Sequence, residues 1–93
     1  MKTTYQDYHL ETPSGKLAWA KGYNTPEGAI QAAIDDMENP SYYTPHELIV
    51  WLDREEETED GYTWIHTKQA ICRIIREKGE IRTEYINSEE KQQ

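Results

Sequence analysis

A chain of 93 residues has room for one domain and one core, and it buries only about 60–65% of the surface its unfolded form exposes. The net charge of −8 argues against a general grip on nucleic acid, because phosphate contacts require lysine and arginine. A single cysteine, Cys72, excludes an internal disulfide and a cysteine-rich zinc site.

The absence of Phe, beside three Trp and seven Tyr, forces Trp19, Trp51 and Trp64 to work alongside Ile, Leu and Val. No apolar run is long enough for a membrane span, and residues 1–10 are too polar for a secretory leader. These features point to a soluble, cytoplasmic protein in a reducing compartment.

Residues 4–10 alternate as a strand, with Tyr5 and Asp7 on one face and Tyr8 and Leu10 on the other. Thr12-Pro13-Ser14-Gly15 is a turn, and residues 16–23 resume as a second strand to close a first hairpin. Gly22 suggests a bulge or strand end there. Thr25-Pro26-Glu27 then caps a helix over residues 26–38. Ala29, Ile30, Ala33, Ile34 and Met37 recur along it at helical spacing, and Asn39-Pro40 stops it. Asp35, Asp36 and Glu38 sit at its unfavourable, negative end.

Thr44-Pro45-His46-Glu47 has the pattern of a capping box and predicts a second helix over 45–55. The alternative is a buried strand, since ELIVWLD is rich in β-branched and aromatic residues; it would pair with the segment after the acidic run. Residues 53–60, DREEETED, read as solvated. Asp60-Gly61 is a turn and residues 62–66 a strand. Thr67 caps a third predicted helix over 68–78, with Ala70, Ile71, Ile74 and Ile75 on one face and Gly79 as its stop. The competing reading is a hairpin about Lys78-Gly79. Residues 80–86 form a last strand. The expected order is β-β-α-α-β-α-β. That is a single α+β domain over 1–87, with a β-hairpin followed by helices on one face of a mainly antiparallel sheet, and a disordered tail at 88–93.

Charge is segregated along the chain. Residues 25–66 carry eleven acids and one Arg, whereas 67–82 carry Lys68, Arg73, Arg76, Lys78 and Arg82 against two acids. The ordinary explanation is that the basic segment neutralises the acidic one; exposed pairs of that kind contribute only about 0–1 kcal/mol each. The functional explanation is an acidic surface offered to a basic partner. Its candidate residues are Asp35, Asp36, Glu38, Asp53, Glu55, Glu56, Glu57, Glu59 and Asp60, with Tyr43 and Trp64 as anchors. Such a protein would be a non-enzymatic inhibitor or binding protein. Its carboxylates would mimic nucleic acid in the groove of a nucleic-acid-binding protein. The alternative is a nucleic-acid-associated regulator reading with the basic helix 68–78. A homo-oligomer is compatible with either.

No motif points to catalysis or a cofactor. The spacing of His9, His46 and His66 resembles neither HExxH nor a facial triad, so no metal centre is expected. Cys72, flanked by apolar residues, reads as a buried, inert thiol.

Overall fold

A computed structural model describes residues 2–19, 21–40 and 44–86. The order is β1 (Lys2–Glu11), α1 (Pro26–Glu38), β2 (Glu47–Glu57), β3 (Trp64–Glu77) and β4 (Glu80–Tyr85). The strands form one antiparallel sheet in sequential order, β1-β2-β3-β4. This overturns the β-β-α-α-β-α-β expectation: among the described residues there is one helix, and the sheet dominates.

Helix α1 occupies the bounds its cap and stop define. Thr25 Oγ1 accepts from the Gly28 N–H at 3.1 Å, and Pro26 occupies the first turn, where its missing donor costs nothing. Ala29, Ala33 and Met37 face the sheet and are buried. They meet Leu10, Leu48, Val50, Cys72 and Ile74, one side chain in two from three adjacent strands. At the far end of α1, the Arg76 guanidinium donates to the Met37 carbonyl at 3.5 Å, a cation at the negative pole of the helix.

The segment expected to be a helix over 45–55 is strand β2. Leu48, Val50 and Leu52 are buried, while their odd-numbered neighbours Ile49, Trp51 and Asp53 face away from α1. That two-residue period outweighs the capping-box pattern. The segment expected to be a helix over 68–78 is the proximal part of β3 as far as Glu77, with Lys78 in the turn after it. Val50 pairs with Cys72 but Trp51 with Ala70, so Ile71 is an extra residue bulging from β3. The bulge shifts the strand's alternation by one, and the shifted pattern Ala70, Ile71, Ile74, Ile75 imitates a helical face. The competing hairpin is what forms. Lys78 and Gly79 take positive φ of 54° and 81°, as a two-residue turn matched to strand twist requires.

Residues 16–19 and 21–23 do not form the expected regular second strand. The segment lies along the outer edge of β1 and touches it at two isolated bridges, Glu11 with Ala18 and Tyr8 with Tyr23. Tyr42, Tyr43 and the expected tail at 88–93 lie outside the described residues. No helix among the described residues is long and apolar enough to cross a membrane.

Burial pushes the Cys72 thiol up to about 11, as expected for a core cysteine. On the other face, Arg73 and Arg82 each reach Glu84 at 2.8 Å, linking β3 to β4. Hydrogen bonds from Arg82, then Arg73, hold the Glu84 carboxyl below its ordinary 4.5. Its contribution to stability is therefore present above pH 4.5 and lost as pH falls through the lower, folded-state value. The urea midpoint should drop between about pH 5 and pH 3, and less steeply for Glu84→Gln than for the wild type. Leu48→Ala should lower unfolding free energy by about 2–5 kcal/mol in urea titrations. Leu17→Ala, at an exposed site, should stay within about 0.5 kcal/mol.

Candidate functional site

The acidic run is ordered. Arg54 to Glu57 continue β2, and the connection to β3 is closed by backbone bonds from Thr58 N to the Thr63 carbonyl (2.8 Å) and from Gly61 N to the Thr58 carbonyl (3.0 Å). Asp60 is part of this turn: its Oδ1 accepts from Thr58 Oγ1 at 2.5 Å and from the Tyr62 N–H at 2.9 Å. The Thr58 bond, then the backbone bond, pull the Asp60 carboxyl below its usual range.

Directly paired residues share a sheet face. On the face opposite α1, Glu55 lies between Tyr5 and His66, and Glu57 between Lys2 and Trp64. Glu56 projects on the helix side, beside Thr3 and Ile65. Tyr62 is 87% exposed and Trp64 53%, and Tyr5 and Ile65 are exposed as well. Among the described residues, none of Glu55, Glu56, Glu57 and Glu59 forms an ion pair. Arg73 is engaged with Glu47 and Glu84, and Arg76 with Met37, so neither is spent on Glu55, Glu56, Glu57 or Glu59.

The structure does not bring all the sequence-predicted residues together. Asp35, Asp36 and Glu38 are at the other end of the sheet. Asp36 accepts from Trp19 Nε1 at 3.2 Å, Asp35 from Gln31 at 2.9 Å, and Glu38 borders a shallow groove with Arg76, Gly79 and Ile81. Roughly 30 Å of β2, at about 3.3 Å per residue, separates that end from Glu57. Asp53 belongs to neither group. It sits mid-sheet on the open face, in a cluster that sequence reasoning missed.

That cluster comes from three strands. His9 on β1 lies between two carboxylates: Nε2 is 2.5 Å from Glu11 and Nδ1 is 2.8 Å from Asp53. Asp53 also takes His66 Nε2 at 3.0 Å, and Lys68 reaches Glu11 at 2.7 Å while its ammonium lies 4.7 Å from the Trp51 ring centre. Asp7 Oδ2 accepts from Tyr5 at 2.5 Å, which raises the phenol's pKa, whereas Asp7 Oδ1 is buried with no partner. Burial alone would raise the Glu11 carboxyl, but hydrogen bonds from Lys68 and His9 outweigh it and lower the group. One signal was available in the sequence. Asp7, His9 and Glu11 alternate, so any strand through them projects all three to one side.

Comparison with protein-family models, curated proteins and solved structures gave no match. Function is therefore read from geometry.

Gly22 crosses Asp7 so closely that a Cβ there would collide with the carboxylate. Gly22→Ala should displace that side chain, release the Tyr5 hydrogen bond and destabilise the fold by about 1–3 kcal/mol. The check is urea denaturation together with an NMR titration of Tyr5, whose pKa should fall back towards 10.0.

Proposed function

We propose that the protein is a non-enzymatic binding protein. It docks the distal end of its β2–β3 ribbon on a basic protein surface of the kind that otherwise holds nucleic acid. The observation that supports this reading is the pairing of exposed rings with unneutralised acids at that end: Trp64 beside Glu57 and Tyr5 beside Glu55. Aromatic rings make good anchors because they bury much area with little loss of side-chain freedom. Carboxylates held on a ribbon steer a cationic partner and discriminate against acidic ones. Glu55 and Glu57 recur on one face roughly 6.6–6.8 Å apart, by two residues of strand rise. The set narrows to Glu55, Glu56, Glu57, Glu59, Trp64, Tyr62 and Tyr5. The regulator reading loses its reading element, because residues 68–77 are strand and Lys78 is in the turn that follows.

The test is affinity capture with immobilised protein at low and high salt, with and without duplex DNA as competitor. Partners should be basic, released by salt within the range where screening is strong, and displaced by DNA. Glu55→Lys/Glu56→Lys/Glu57→Lys should weaken their binding at least about tenfold, most of it in the association rate. Trp64→Ala should weaken it by more than about 1 kcal/mol. A partner held equally by the triple variant, or indifferent to salt, overturns the reading.

A further inference from the structure

We infer that the mid-sheet cluster on the open face is a binding site for a first-row divalent transition metal, with Asp7, His9 and Asp53 as ligands. One ligand atom from each of Asp7, His9 and Asp53 lies within 4.8 Å of the others. His9 Nδ1 lies 2.8 Å from Asp53 Oδ2, while His66 Nε2 meets the other oxygen, Asp53 Oδ1, at 3.0 Å. Donor atoms about 2.0–2.1 Å from one ion are themselves roughly 2.9–3.4 Å apart in octahedral or tetrahedral geometry, so the His9–Asp53 spacing already approaches that of a ligand set.

Three further features distinguish this from a mere group of acids. First, Glu11 lies at hydrogen-bonding distance from His9 Nε2, the carboxylate–histidine arrangement that orients a metal-binding imidazole and leaves Nδ1 as the donor. With its proton on Nε2, the ring turns the Nδ1 lone pair towards Asp53, a contact that a cation between them makes favourable. Second, Asp7 Oδ1 is buried and takes no hydrogen bond, while Tyr5 holds Oδ2 and Gly22 closes over the carboxylate. A buried oxygen of this kind without a partner is costly, and a metal ion supplies one. Third, three carboxylates (Asp7, Glu11 and Asp53) lie about His9, and among the described residues Lys68, on Glu11, is the lysine or arginine in ionic contact with any of them, so the site is short of positive charge. His9 and Asp53 are mostly covered, at 14% and 19% side-chain exposure, whereas His66 at 59% lies on the open side through which an ion arrives. An imidazole among the donors favours Zn²⁺, Co²⁺ or Ni²⁺ over Mg²⁺ or Ca²⁺.

The experiment uses the full chain without a histidine tag, titrated with ZnCl₂ by calorimetry and with CoCl₂ by visible absorption. The expected result is one ion per chain, a Co²⁺ spectrum of low-symmetry coordination, and no competition from equimolar Mg²⁺. His9→Gln and Asp53→Asn should each weaken Zn²⁺ binding more than tenfold, and Glu11→Gln, acting through His9, about tenfold. His46→Ala, outside the cluster, should leave it unchanged. Absence of binding at millimolar Zn²⁺, equal competition by Mg²⁺, or unchanged affinity in either His9→Gln or Asp53→Asn, with the fold intact by circular dichroism, overturns the inference.

Discussion

A mismatch of lengths organises this molecule. Helix α1, with 13 residues, is roughly 20 Å long, whereas β3, with 14 residues, extends roughly 45 Å. One helix therefore shields one face of one half of the sheet. The shielded part holds the buried apolar cluster of the described residues, from Leu10 to Ile74. The rest of the sheet is largely polar, exposed along the distal ribbon and partly covered at the mid-sheet cluster of His9 and Asp53. The open face and the distal ribbon follow from that constraint, and both candidate sites lie on surface that α1 does not reach.

The fold was partly legible before the coordinates. Helix α1 was readable because its signals are local: a hydroxyl cap, a proline in the first turn and an Asn-Pro stop act within a few residues. The strands were harder because pairing is a long-range property. Residues 45–55 carry a helix-start pattern, yet tertiary burial of Leu48, Val50 and Leu52 prevails over that local preference. Residues 68–78 misled for a sharper reason. The extra residue Ile71 breaks the strand's alternation, and a strand with a phase slip is hard to tell from a short amphipathic helix.

The candidate surface was legible in composition and not in placement. The acidic run and its flanking rings were visible, and β2 and β3 do bring Glu55 and Glu57 beside Tyr5 and Trp64. The helix acids were grouped with them on charge alone, and the sheet holds the two sets at opposite ends. His9, Asp53 and His66 come from three different strands, and nothing short of the register brings them together. The alternation of Asp7, His9 and Glu11 hinted at one row of that cluster. The second row needed the pairing of Asp7 with Asp53.

The register of β4 on β3 runs from Cys72 to Glu77 and stops short of the distal part of β3. The edges of sheets invite another chain to add a strand, the first step of sheet-to-sheet aggregation. Here the invitation is blunted by Lys68 on that part of β3 and by the bulge at Ile71 at its end, two devices that discourage such growth. The same bulge that disguises β3 in the sequence thus also serves solubility.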